Sequence, residues 1–120
     1  MNPHTRACIA YVAGRLVSNK SASSVFCYTK SKHMMIDGTV KTNNIDVFDY
    51  DRGNHFGGSG NSGKFDLFDY GESYHVELKV SGNKFEGFDY ASSNHFSGDV
   101  SGGNISLYDY GSGNYHEYGI

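Results

Sequence analysis

The sequence predicts an all-β domain assembled from a repeated unit, and three observations carry that prediction. Phe-Asp-Tyr stands at Phe48–Tyr50, Phe68–Tyr70 and Phe88–Tyr90 and returns as Tyr-Asp-Tyr at Tyr108–Tyr110, a period of twenty residues with no insertion or deletion. Apolar residues alternate inside each unit (Ile45 and Val47, Phe65 and Leu67, Ile105 and Leu107), as they do in strands with one face on a core. With 15% aromatic residues, 16 Gly and one Pro, the composition favours strands joined by tight turns. At 120 residues the chain is one domain, residues 1–120, large enough to bury a core without metals or disulfides.

Along the chain, residues 1–24 are the least regular and read as an N-terminal cap or degenerate repeat. Within them Ala7–Val12, Ala13-Gly14 and Arg15–Val17 read as strand, turn, strand. Residues 25–43 read as a divergent repeat in which Val25 and Cys27 align with Ile45 and Val47, and Met35 takes the histidine position. Residues 44–120 hold four regular repeats. In each, the first strand ends in the aromatic tripeptide, a four-residue turn such as Asp51-Arg52-Gly53-Asn54 follows, and the second strand opens with His55, His75, His95 or Tyr115. Gly and Asn suit those turns because they accept positive φ at little cost.

Two arrangements satisfy this pattern. The favoured one is a β-solenoid (β-helix) of about five to six coils, in which the invariant period is what stacking demands. The alternative is an antiparallel β-meander forming a barrel or sandwich. Stacked coils would bring Asp49, Asp69, Asp89 and Asp109 into one file at the strand spacing of about 4.8 Å, where unscreened carboxylates repel. A meander doubles that spacing, but pairing residue 49 with 56 and 56 with 69 gives no net stagger, and a barrel needs stagger to close.

The net charge of −3 conceals an asymmetry: residues 1–41 carry six Lys/Arg against Asp37 alone, and residues 42–120 carry four against twelve acids. An acidic body disfavours nucleic acid. No apolar run is long enough to span a membrane, and the N-terminus lacks the pattern of a signal peptide, so a cytoplasmic location is expected. Cys8 and Cys27 do not form a metal motif, and two reduced, buried thiols are the expectation over a disulfide.

Few motifs carry chemistry. Gly58–Lys64 nearly spells a phosphate-binding loop, but Phe65 stands where the magnesium-binding hydroxyl belongs and a strand follows instead of a helix. Catalysis is not expected, because carboxylates, histidines and serines recur with the repeat and no unique constellation stands out. No cofactor is implied. Phe48, Phe68, Phe88 and Tyr108, with Tyr50, Tyr70, Tyr90 and Tyr110, share the strand face opposite the core, beside Asp and Asn. Exposed rings flanked by carboxylates suit sugars, so a non-enzymatic binding module for a glycan or another extended surface leads the functional expectations. A self-associating structural protein is the second. A metal-binding module through His55, His75 and His95 is the third, since neutral imidazoles with acidic neighbours can hold Zn²⁺, Ni²⁺ or Cu²⁺.

Overall fold

A computed structural model describes residues 1–120. Turn chemistry decides the topology. Two-residue loops at Ser62-Gly63, Gly82-Asn83 and Gly102-Gly103 carry positive φ at Ser62, Gly63, Gly82 and Gly102, the left-handed backbone that tight hairpins require. The chain therefore reverses at every junction, and all pairing is antiparallel. The strands are β1 (Val25–Cys27), β2 (Lys32–Met34), β3 (Ile36–Lys41), β4 (Asn44–Asp49), β5 (Asn54–Asn61), β6 (Lys64–Asp69), β7 (Tyr74–Ser81), β8 (Lys84–Asp89), β9 (Asn94–Ser101), β10 (Asn104–Asp109) and β11 (Asn114–Gly119). They form one sheet in the order β2-β1-β11-β10-β9-β8-β7-β6-β5-β4-β3.

The fold is thus all-β in the meander arrangement, and the parallel solenoid does not form. Its two end strands, β2 and β3, are separated only by Met35, whose carbonyl accepts from the Tyr50 N–H, so one chain segment joins both ends of the sheet into a nearly closed barrel. Beyond Met35, β3 pairs with β4 on one side only, and on it the Arg15 guanidinium donates to the Gly38 carbonyl at 2.9 Å.

Closure works because the register is staggered, contrary to the pairing expected from the sequence. Phe56 faces Val47 on one side, not Asp49, and Asp69 on the other. The step from 47 to 69 is 22 residues against a repeat of twenty, a stagger of two per unit. Four units contribute eight. At the seam Tyr118 pairs with Cys27 and Cys27 with Lys32, whereas four repeats back from Tyr118 is Gly38, which adds six. With β2 and β3 counted as one, ten strands and a stagger of fourteen imply a tilt of about 45° and a radius of about 11 Å.

A bore of that size has room for one helix, and the chain supplies it. Residues Pro3–Ser18 form α1, capped by Asn2, whose side chain accepts from the His4 N–H, with Pro3 in the first turn and left-handed Asn19 (φ 57°) at the C-terminal end. With a helix backbone radius of about 2.3 Å, some 8 to 9 Å remain between helix and sheet, the thickness of one layer of side chains. Residues Ala7–Ala13 are fully buried, enclosed by Val47, Phe56, Leu67, Val76, Leu107 and Tyr118 among others.

This corrects the strand-turn-strand expected over Ala7–Val17: residues 1–24 are neither a cap on a stack nor a degenerate repeat. A helix buried on every side has no polar stripe, so its run Ala7–Val12 shows no 3.6-residue period and mimics a buried strand. Both cysteines are buried and free: Cys8 lies on the helix and Cys27 on β1. No helix is long and apolar enough to cross a membrane.

Candidate functional site

Each Phe-Asp-Tyr tripeptide is split by strand alternation. Its Asp turns inward and its two aromatics turn outward. Inside, Asp49, Asp69, Asp89 and Asp109 are at most 1% exposed and stand on alternate strands around the N-terminal end of α1. One oxygen of each closes the adjoining turn, accepting backbone N–H groups from Asp51, from Gly71 and Glu72, from Ala91 and from Gly111. The second oxygen is satisfied differently in each unit. Arg52 bridges Asp49 (3.0 Å) and Asp69 (2.8 Å), Arg6 reaches Asp109 at 3.2 Å, and Ser92 donates to Asp89 at 2.8 Å. The positive end of the helix dipole faces this ring of carboxylates.

This inner ring is structural chemistry. Burial works against the charge on Arg52, but its hydrogen bond to Asp69, the Asp69 charge and the Cys8 contact together outweigh that, so the guanidinium holds its proton more firmly than usual. Cys8, 3.8 Å from Asp49, has its thiol pushed far up, first by burial and then by Asp49. A thiol held protonated is a poor nucleophile.

Outside, the aromatics form a belt around the barrel wall near the same end. Phe48 packs edge-on against Tyr50 and His55, with ring centres 4.8 Å apart in both contacts. The arrangement recurs as Phe68 with Tyr70 and His75, Phe88 with Tyr90 and His95, and Tyr108 with Tyr110 and Tyr115. Edge-to-face pairs of this kind contribute about 0.5–1.5 kcal/mol each. The central rings are half-buried, whereas Tyr50, Tyr70, Tyr90 and Tyr110 are exposed.

The structure adds a fifth triplet that the sequence reading missed: Phe26 with Tyr28 (5.0 Å) and His33 (4.8 Å). Its signal was present as Phe-x-Tyr followed five residues on by His. It lies twenty-two residues before the next copy and has Cys27 in place of the Asp, so a strict twenty-residue alignment passed over it.

The histidines are brought to their own aromatics, not to one another. His55, His75 and His95 sit on β5, β7 and β9 with a strand between each pair, roughly 10 Å apart at the usual strand spacing. His55 lies 3.6 Å from Asp46 and His75 lies 3.2 Å from Asp66. No three His, Cys, Asp or Glu side chains converge as metal ligands.

Across β5–β9 the outer face holds a trough of about 1110 Å³. Its lining places Phe88, His95 and Tyr110 beside the hydrogen-bonding side chains of Asn61, Asp66 and Glu86. A smaller notch of about 390 Å³ shares Asp66 and Glu77 with the trough and is walled by Tyr74 and Tyr90. The Tyr90 hydroxyl donates to Glu77 at 2.7 Å, a bond that pushes its ionisation upward. Comparison with known protein families, with curated proteins and with solved structures finds no match to this chain.

Proposed function

We propose that the chain is a non-enzymatic binding module whose ligand is a glycan lying along the trough across β5–β9. One observation carries the reading: the trough sets aromatic rings (Phe88, His95 and Tyr110) beside carboxylate, amide and hydroxyl groups. A sugar ring offers the complementary pair, an apolar C–H face and a rim of hydroxyls. The belt supplies rings of fixed orientation, since each central Phe holds its flanking Tyr and His edge-on, as Tyr108 holds Tyr110 and Tyr115, and a ring already fixed loses little entropy when a ligand stacks on it. The rest of the barrel wall leaves this face free to vary, because the core and the inner Asp ring hold the hairpins together from the other side.

The test is a titration with a panel of soluble neutral and charged oligosaccharides, followed by tyrosine fluorescence and NMR shifts of the Tyr and His side chains. Saturable shifts confined to β5–β9 are expected, with affinity falling about tenfold (1.4 kcal/mol) in Tyr110→Ala. If no oligosaccharide of any class gives saturable shifts there, or if Tyr110→Ala binds as the parent does, the reading fails.

A further inference from the structure

The notch beside the trough departs from the repeat. In every other hairpin of the regular region, the outward position two residues before the central aromatic meets at most one acid across the ladder: Asp46 faces Gly57, Glu86 faces Ser97 and Ser106 faces Glu117. On β6 and β7, Asp66 faces Glu77 directly. Like charges opposed across a ladder destabilise it. Lys64 and Lys79 face each other at the next outward position and line the trough near the pair, but no Lys or Arg nitrogen lies within ion-pair distance of either carboxylate. The partners of the two acids are His75, 3.2 Å from Asp66, and the Tyr90 hydroxyl, 2.7 Å from Glu77.

The walls of the notch are aromatic. Tyr74 (52% exposed) and Tyr90 (43%) both line it, and the bond to Glu77 fixes the tilt of the Tyr90 ring. Tyrosine rings beside two carboxylates that have no Lys or Arg partner match an organic ammonium group, which takes Coulomb attraction from the acids and cation–π attraction from the rings. A bare divalent ion would use the carboxylates but gain nothing from the rings. The notch adjoins the trough, sharing Asp66 and Glu77 with it, so an amine there can belong to a chain lying in the trough.

We infer that the notch between Tyr74 and Tyr90 binds a protonated amino group, and that the ligand of the trough is a glycan bearing free amines. This rests on the glycan reading of the trough and adds the charge of the ligand to it.

The experiment compares short β-1,4-linked glucosamine oligomers with their N-acetylated counterparts, with tetramethylammonium chloride as the cation alone, by calorimetry and by NMR of the Tyr side chains at pH 6. The free-amine oligomer is expected to bind at least tenfold more tightly than the acetylated one. The advantage should shrink with added salt and vanish in Asp66→Asn/Glu77→Gln, while Tyr110→Ala weakens both ligands alike. The double variant should melt no lower than the parent, since it removes a repulsion; its loss of preference then cannot be blamed on misfolding. Equal affinity for the two oligomers would overturn the amine site and leave the glycan trough standing. Tetramethylammonium shifting Tyr74 and Tyr90 when neither oligomer binds would keep the cation site and sink the glycan reading. Ca²⁺ or Zn²⁺ binding at Asp66 and Glu77 with no response to tetramethylammonium would overturn the inference outright.

Discussion

Arg52→Met is the most informative single change to the fold. Arg52 is the only Arg or Lys at its turn position in the four regular repeats, where Glu72, Ser92 and Ser112 stand in the others. Its guanidinium is 11% exposed and touches Asp49 at 3.0 Å and Asp69 at 2.8 Å, carboxylates that are themselves 0% and 1% exposed. Removing it leaves two charges sealed in the barrel end. Asp49 would keep the Asp51 N–H, with the Cys8 thiol at 3.8 Å and His4 at 3.6 Å, and Asp69 would keep Thr5, Gly71 and Glu72, but neither would retain a close Arg cation. Deleting one partner of a buried ion pair costs about 3–5 kcal/mol, a large share of the roughly 5–15 kcal/mol that holds such a domain together. For a chain of this size the melting temperature should fall by roughly 10–20 °C.

The assay is urea and thermal unfolding followed by circular dichroism, with Asp69→Asn and the double variant completing the cycle. Arg52→Met should cost less when Asp69 is already neutral, by a coupling of about 1–3 kcal/mol. A cost under about 1 kcal/mol with no coupling would place this pair among exposed surface pairs and refute the buried-ring argument.

Two further outcomes follow from the same framework. Acid should destabilise the fold in two stages. His116 has its pKa lowered below 6.5, first by burial and then by Arg6, so stability begins to fall as pH drops below about 6.5 and the unfolded chain gains a proton the fold resists. Asp109 is held below 3.8: burial alone would raise it, but the Gly111 N–H and the terminal ammonium outweigh that, and its contribution, complete above about pH 5, disappears as pH falls through and below 3.8. Urea midpoints from pH 8 to 3 check both, and His116→Gln should flatten the upper stage alone. Second, the turns at Ser73 (φ 60°) and Ser93 (φ 57°) place serine where Gly53 and Gly113 stand in sister repeats, so Ser73→Gly and Ser93→Gly should each stabilise by about 0.5–1 kcal/mol in urea unfolding.

The parts of the fold legible in the sequence are those that local chemistry sets. Alternation of Ile45 with Val47 and Phe65 with Leu67 marks the inward face, and the tripeptide with its turn marks the hairpin, so the all-β architecture and the outward aromatics could be read. The helix could not be found by periodicity, because burial on all sides erases the stripe that periodicity detects; the remaining signal was Asn2-Pro3, a cap and a first-turn proline. The stagger was hidden for a related reason. A slip of two residues keeps every side chain on its face, so hydrophobic pattern alone cannot separate Asp49 facing Phe56 from Val47 facing Phe56. What separates them is closure around the helix, a demand of the whole ring.

A repeat protein advertises what its units share, and shared features belong mostly to the architecture. The inner Asp, the edge-on aromatic triplet and the positive-φ turn residue recur because each hairpin must be closed and joined to the next. Specific chemistry is better sought where one unit breaks the rule without helping the fold. Inside, the breaks do help: Arg52, Arg6 and Ser92 each answer a carboxylate that the shared pattern buries. Outside, Asp66 faces Glu77 with no Lys or Arg in ion-pair distance of either, an arrangement that works against the ladder, and it does so beside two tyrosine rings next to the trough. A cost borne at one unit, on the face not needed for folding, is the mark expected of a residue pair kept for a ligand.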